Sequence, residues 1–547
     1  MQIQTLLLAT AWGVLSHLAI FIRGEWHLRA PAVGAVHTIV LLLSIALAST
    51  HSPNAVTNTL ACFGCYLSGL FISMVVYRLY FHRLRCFPGP RLAAMSKLWL
   101  AYQCRDSRNH LVLDELHQKY GTFVRTGPAE ITIFHPAAWE ALDGSANRNI
   151  RSDWYDLVHP RISPIFARTE EDHLSRRKVW SRALSTKAIR EYVPRILTQI
   201  DRLDAIIASA QGQPVVPNDL MPWFVFDSMG EFAFNENFGM MKTQTWHHAI
   251  TQQRSALAIL GSLNHAVWAI RVAFAFAGRF WRVKDWNRMV TFCDQCMERR
   301  LKMEVTKQPD IAAHFIQEYR QGLTRENMSV KKQLLSGNTL SVIVGGSDTG
   351  APSLIILWYF VARYPDHAER IYQELQTVDP TDHTALATLP HLNGFLNEAM
   401  RLIPAALTMG TRLTPPEGMV VEGTFIPGNI KVVAPRYTIS RMASAFKDPL
   451  TFIPERWYSQ PELVLDKRAF TPFGVGTRTC VGKNLALTQL RLVLAILLSR
   501  YRVRFADGET GQAVERDMRD QLTAQPGRYS IVFEARDGAY LSDRAKY

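Results

Sequence analysis

The sequence predicts a mostly α-helical protein with small β-sheets, preceded by helices that enter a membrane. Three observations predict it. The N-terminal eighty-odd residues hold three uncharged apolar stretches, at 1–22, 30–50 and 52–77. A long apolar run at 333–361 carries Gly345-Gly346-Ser347-Asp348-Thr349-Gly350 in its middle. Near the C-terminus a cysteine sits among glycines, in Phe473-Gly474-Val475-Gly476-Thr477-Arg478-Thr479-Cys480-Val481-Gly482, directly before an apolar helical run, Lys483–Arg500.

Composition bounds the reading. The chain has 547 residues, of which 48% are hydrophobic, enough for a large core. The formal net charge of +14 suits nucleic acid, an anionic membrane surface or an acidic protein partner. No nucleic-acid-binding motif is present, so the last two lead. Seven cysteines is an odd number without small-domain spacing, which argues against a disulfide scaffold. Cys62/Cys65 and Cys293/Cys296 are C-x-x-C pairs without a second pair at zinc-site spacing, and they read as packing residues. Asn327-Met328-Ser329 fits a glycosylation sequon that a cytosolic location would leave unused.

Each of the three N-terminal stretches is about the ~20 residues that cross a bilayer as helix. A cleaved signal peptide would explain only the first, and no basic region precedes it. Arg23 and Arg29 separate the first two stretches, no Lys or Arg separates the second and third, and Arg78, Arg83, Arg85, Arg91 and Lys97 follow the third. The positive-inside rule then predicts a lumenal N-terminus and a cytosolic main domain. The expected boundary lies at residue 86: an anchor of up to three spans over 1–86, and a catalytic domain over 87–547.

Phe87-Pro88-Gly89-Pro90 stops a helix and stiffens the exit from the membrane. Residues 124–134 read as strand interrupted by Gly127-Pro128, and 147–166 as a long loop. Residues 170–185 read as a helix with His173 and Arg177 four apart, on one face. Arg176, Lys178 and Arg182 on that helix read as a solvated basic face, able to meet an acidic redox partner. Residues 223–241 read as a packed core helix and turn. Residues 255–281, with Trp268, Phe274, Phe276, Phe280 and Trp281, read as an apolar helical segment. At 333–361 two central glycines cost about 1 kcal/mol each relative to alanine. Pro352 takes away the usual partner of the Asp348 carbonyl, so the helix is weakened at this polar break, and a groove for a small ligand and water against freed backbone groups is one reason for it. Residues 389–402 read as a helix with Glu398 and Arg401 at i, i+3 on one face. A strand-like region follows, through Pro435.

The cysteine loop carries the chemistry. Gly476 and Gly482 permit positive φ and close backbone approach. The helix start offers free N–H groups to a negative sulfur, and Arg478 can pair with a carboxylate. Phe473, Gly476, Arg478, Cys480 and Gly482 occupy the five fixed places of the cysteine-ligand loop of cytochrome P-450 heme-thiolate proteins, which the chain resembles from about residue 87 to 547. The resemblance implies a triangular helical heme domain, with Cys480 as the axial ligand of a heme b iron and Phe473, Gly476 and Arg478 around the cofactor. Residues 345–349 resemble the family's distal-helix motif. Asp348 would then relay protons and Thr349 would donate a hydrogen bond to dioxygen. The chain departs from that motif at Gly350 and Pro352. His173 and Arg177 fit the register of the helix that faces a heme propionate, and Arg412 stands where the family has a propionate-binding arginine. Ser440-Arg441 replaces the common His-Arg, so Ser440 is assigned no such contact. Glu398 and Arg401 match the family's Glu-x-x-Arg, which Arg456 of Phe452-Ile453-Pro454-Glu455-Arg456-Trp457 completes as a structural cluster bracing the cysteine loop. The Pro-Gly-Pro segment resembles the hinge of membrane-bound members, and 255–281 the lid over the substrate channel, partly dipped in lipid.

The implied function is a monooxygenase that places one oxygen atom from O2 into a lipophilic small molecule by hydroxylation or epoxidation. The resemblance to filamentous-fungal members implies tailoring of a secondary metabolite at the endoplasmic reticulum membrane. No flavin- or nicotinamide-binding segment is apparent, so electrons come from NADPH through a separate cytochrome P-450 reductase, with cytochrome b5 as a further donor. Three alternatives stand beside it: a reductase-independent enzyme that rearranges peroxides, which Asp348-Thr349 argues against; a non-catalytic heme sensor; and a transporter, which the uncharged, unbroken spans disfavour.

Overall fold

A computed structural model describes residues 3–50, 53–303 and 309–536. The ends of the first and third apolar stretches and the last residues of the expected catalytic domain, 537–547, lie outside the described residues.

Helices Ile3–Phe21, Ala30–Ser49 and Ala55–Phe81 are 19, 20 and 27 residues long and almost wholly unburied by protein. Leu7, Leu43, Phe71 and Ile72 point outward from them. Such a continuous apolar surface calls for lipid as its solvent. The first and third helices meet backbone to backbone at two glycines. A Cβ on Gly13 would stand 2.0 Å from the Tyr66 carbonyl oxygen, and one on Gly69 would stand 2.2 Å from that of Thr10. Small residues allow this close crossing where no hydrophobic force between helices exists. The fourth long apolar helix, Met328–Arg363, is mostly buried in protein, so its apolarity serves the core.

The loop between the first two membrane helices returns to the main domain. Arg168 donates to both carboxylate oxygens of Glu25, at 2.6 and 2.9 Å, and to Asp156 at 2.8 Å. His27 lies 2.8 Å from the other side of the same clasp, at Asp156 Oδ2. Arg168 in turn offers its carbonyl to Arg478 of the cysteine loop at 3.1 Å.

In the main domain, a five-stranded sheet runs in the order Phe123–Gly127, Glu130–Ile133, Lys431–Val433, Thr411–Leu413, Ile150–Arg151. Only the second and third of these pair in parallel. The expected strand at 124–134 is thus a hairpin turning at Gly127 and Pro128. Gly89 of the hinge fits only as glycine, because a Cβ would lie 2.4 Å from the Arg125 carbonyl oxygen. The large core is helical. Pro217–Phe234, Met328–Arg363 and Lys483–Arg500 bury most of their side chains in one cluster, which also holds Cys293 and Cys296.

The expected helical segment at 255–281 is divided into short helices. The chain runs through His248–Leu257, Ile259–Ser262 and Val267–Phe276 before Trp281–Lys302 begins. Gly261 is pressed against Ser107, where a Cβ would be 2.0 Å from Oγ. Trp268, Phe276, Phe280 and Trp281 remain exposed, and Val267–Phe276 packs on the membrane helix Ala30–Ser49. The expected helix at 333–361 lies within Met328–Arg363, a continuous helix over 36 residues that runs through the polar stretch and Pro352. Ser347, Thr349 and Ser353 each donate to the carbonyl four residues back, at 2.6, 2.7 and 2.8 Å. These hydroxyls find acceptors within the helix, on the carbonyls of Ile343, Gly345 and Thr349.

Candidate active site

The cysteine loop is a tight turn held from within. The Cys480 amide donates to the Phe473 carbonyl at 2.7 Å. Gly474 and Gly476 take φ of +73° and +63°. At Gly476 a side chain is impossible as well as strained, since a Cβ would lie 1.9 Å from the Asp143 carbonyl oxygen. The Cys480 residue is accessible yet surrounded by protein, the combination that an internal hollow produces. Burial pushes the thiol up; the backbone N–H groups of Gly482 and Lys483 and the charge of Arg177 pull it back down. A metal ion would complete the deprotonation.

A buried cluster joins the helix Pro390–Leu402 to the turn Pro454–Trp457. Glu398, on the helix Pro390–Leu402, accepts from Arg401 Nε at 2.9 Å and Nη2 at 2.8 Å. It also accepts from Arg456 Nε at 2.9 Å, the Ile453 amide at 3.0 Å and Trp457 Nε1 at 2.9 Å. Arg401 spends its remaining donors on the carbonyls of Ser440, Pro449 and Thr451. All three charged side chains are fully buried. Ser440 donates to the Arg401 carbonyl at 2.7 Å.

On the helix Met328–Arg363, Gly345 and Gly346 are exposed although flanked by buried turns, and a Cβ on Gly345 would meet nothing within 4 Å. Thr349 Oγ1 is tethered to the Gly345 carbonyl beside this open space. Asp348 is buried and accepts from Thr523 Oγ1 at 2.6 Å. Burial pushes its carboxyl up to about 6, against the pull of Thr523 and Arg254.

The remaining expected residues gather near the loop with uneven partners. Arg478 donates to the carbonyls of Ala167 and Arg168, at 3.0 and 3.1 Å. His173 is buried between the carbonyls of Pro164 and Thr477, at 3.0 and 3.2 Å. Burial, with Arg478 adding to it, lowers this imidazole to about 4, so the ring is neutral and has one N–H to give. Arg177 faces Cys480 electrostatically. Arg412 is fully engaged, with Nε on Asp143 Oδ1 at 2.6 Å, Nη2 on Oδ2, and Nη1 near the Tyr155 hydroxyl at 3.2 Å.

Strand register adds a residue that the sequence does not flag. Arg151 pairs directly across from Arg412 in the antiparallel ladder. Like charges so placed repel. Asp143 neutralises Arg412, but among the described residues Arg151 Nε and Nη1 are buried without a hydrogen-bond partner, with the guanidinium 4.3 Å over the Tyr155 ring. Burial lowers this guanidinium to about 9, and Arg412 and Arg478 add repulsion. A cation so placed calls for an anion. A heme fits these residues: a thiol in a helix-start cradle, open space at a mid-helix glycine, and an orphaned arginine suited to a propionate.

Comparison with known proteins agrees. The Cytochrome P450 family model matches residues 88–533. A cytochrome P450 monooxygenase notG' of Aspergillus versicolor is 34% identical, over 96% of each chain. The tryprostatin B 6-hydroxylase of Aspergillus fumigatus is 34% identical, over 92% of each. Among solved structures, the cytochrome P450DA heme domain superposes with a TM-score of 0.64 at 18% identity, covering 79% of this chain and 92% of that one. The matched range spans the hinge, the glycine-bearing helix, the buried cluster and the cysteine loop, and the chain belongs to the cytochrome P450 family, the heme-thiolate monooxygenases.

Proposed function

We propose that this protein inserts one oxygen atom from O2 into a lipophilic small molecule, as a tailoring step of fungal secondary metabolism. The observation that carries it is the acid–alcohol pair beside the hollow: Thr349 Oγ1 held on the Gly345 carbonyl, and Asp348 buried on Thr523. Heme, held by Cys480, supplies dioxygen binding and activation when bound. Thr349 positions a hydroxyl where dioxygen is to sit. Asp348, pushed up to about 6, keeps more of its acid form near neutral pH than an ordinary carboxyl and passes that proton inward. The named activity of one relative, a 6-hydroxylase, supports hydroxylation as the reaction type.

Electrons come from NADPH through a separate reductase, with cytochrome b5 as a further donor. The exposed basic residues of the helix Glu170–Ala183, led by Lys178, offer a face for an acidic partner. The Glu25 and His27 contacts put the first inter-helix loop on the same side of the bilayer as the main domain. That supports an N-terminus on the side of the bilayer opposite the catalytic domain; the basic residues after the third helix then favour a cytosolic catalytic domain. The exposed aromatic residues of 268–281, beside the second membrane helix, form a lid that admits substrate from lipid.

Carbon monoxide added to the folded, reduced holoprotein is expected to give the thiolate-type Soret band, and Cys480→Ser to remove it; wild type lacking that band overturns the assignment. Product formation is expected to require NADPH and reductase, and turnover of a hydroperoxide without either would mark a rearranging enzyme instead. Deletion of the gene, followed by profiling of the compounds that accumulate, identifies the substrate.

Arg151 carries an expectation with two signs. Arg151→Ala removes an unpaired buried cation, so the heme-free protein should melt no lower than wild type. Heme affinity should fall ~10-fold or more, as expected for loss of a charge-assisted hydrogen bond worth about 1.5–3 kcal/mol. Unchanged heme affinity would remove Arg151 from the propionate site.

A further inference from the structure

Outside the heme site, three side chains from three separate segments aim ligand atoms at one point. His367 lies on the helix Pro365–Leu375, His391 on Pro390–Leu402, and Glu455 in the turn Pro454–Trp457. His367 Nδ1 is 3.3 Å from His391 Nε2 and 3.7 Å from Glu455 Oε1. All three ligand atoms lie within 4.8 Å of one another. A tetrahedral zinc ion with ligands at about 2.0–2.1 Å spaces its ligand atoms roughly 3.3–3.4 Å apart, close to the separations seen here.

The surroundings suit a cation. His391 Nδ1 stands 2.9 Å from the Tyr458 hydroxyl. An N–H donated there leaves the lone pair of Nε2 facing His367, the outer-shell arrangement typical of metal-binding histidines. Burial lowers both imidazoles, His391 to about 4, so both are neutral near pH 7. Asp366 and Glu398 add negative potential at His367. Arg370 opposes, since it bonds Glu455 Oε1, but its side chain is 56% exposed and free to swing into solvent. His391 is buried, while the His367 and Glu455 side chains keep 17% and 14% of their exposure, enough to leave an entrance.

We propose that His367, His391 and Glu455 form a zinc site, with water as the fourth ligand. Two nitrogens and one carboxylate with an open position suit Zn2+ better than Mg2+ or Ca2+, which take oxygen-rich sets. The ion ties both helices to the turn that carries Arg456. It thereby stiffens the cluster of Glu398, Arg401 and Arg456, since His391 and Glu398 share the helix Pro390–Leu402.

The test uses untagged, full-length holoprotein in detergent micelles, stripped of metal and titrated with ZnCl2 by calorimetry. Zinc-edge X-ray absorption is recorded on the loaded protein. One equivalent should bind and raise the melting temperature, with two nitrogen scatterers at about 2.0–2.1 Å. His367→Asn, checked for folding by its Soret band, should bind at least ~10-fold more weakly. Failure of wild type to retain zinc, or equal binding by His367→Asn, overturns the site. So does sulfur scattering at about 2.3 Å in wild type, which would put the metal on a cysteine such as the exposed Cys86. The absorption spectrum decides the question even if His367→Asn fails to fold.

Discussion

Glu398→Ala is expected to yield protein that holds no heme. Glu398 accepts five hydrogen bonds, from Arg401, Arg456, Ile453 and Trp457, in a fully buried setting. Alanine leaves two buried guanidiniums facing each other without their shared anion. Removing one partner of a buried ion pair costs about 3–5 kcal/mol, because the remaining charge cannot return to water. Here the carboxylate joins the helix Pro390–Leu402 to the 453–457 turn, so its loss frees both. Arg401 also pins the carbonyls of Ser440, Pro449 and Thr451, and would drag that segment with it. Glu398→Gln keeps the shape and at most part of the bonding, and should retain some heme at reduced thermal stability. The measurement is heme per protein by pyridine hemochrome, with circular dichroism to count the folded fraction. Full heme content in folded Glu398→Ala protein would show that the cluster does not hold the cysteine loop.

Much of this site is legible in the sequence because its parts are local. The cysteine loop spans ten residues, Glu398 and Arg401 lie one helical turn apart, and Asp348 and Thr349 are adjacent. Each signal survives because its geometry is fixed by neighbours in the chain. What escapes the sequence depends on distant neighbours. Arg151 becomes conspicuous only through strand register, which sets it opposite Arg412. Thr523 reaches Asp348 from a hairpin 175 residues away. The apolar segment 255–281 is helical as its composition suggests, but its division into short helices is not visible in composition. At 345–352 the glycines and Pro352 weaken the helix without interrupting it. His367, His391 and Glu455 come together only when three segments pack, and no spacing announces them.

Replacement of Asp348 or Thr349 is expected to separate electron consumption from product formation. Asp348→Asn keeps an acceptor for Thr523 and removes the ionisable proton. Loss of a positioned general acid typically costs about 10²–10⁴-fold, so product formation should fall by at least ~100-fold. Stability should move the opposite way. The folded carboxyl titrates near 6, above the ordinary value of 3.8, because burial disfavours its charge. The folded state therefore binds more protons than the unfolded chain, and stability from this group is full below about 3.8 and falls as pH rises through about 6. The difference corresponds to about 3 kcal/mol at higher pH. Asparagine has no such dependence, so Asp348→Asn should melt no lower than wild type at pH 7.5, and the two melting curves should draw together as pH falls through 6 toward 4. Turnover in wild type should weaken as pH rises above 6, where the acid form becomes scarce. Thr349→Ala removes the tethered hydroxyl and leaves the acid in place. NADPH oxidation should continue in that variant while product falls ~10-fold or more and hydrogen peroxide accumulates. Parallel measurement of NADPH, peroxide and product checks both variants. If Asp348→Asn forms product at the wild-type rate across pH 5–8, the buried acid is a packing group and protons arrive by another route.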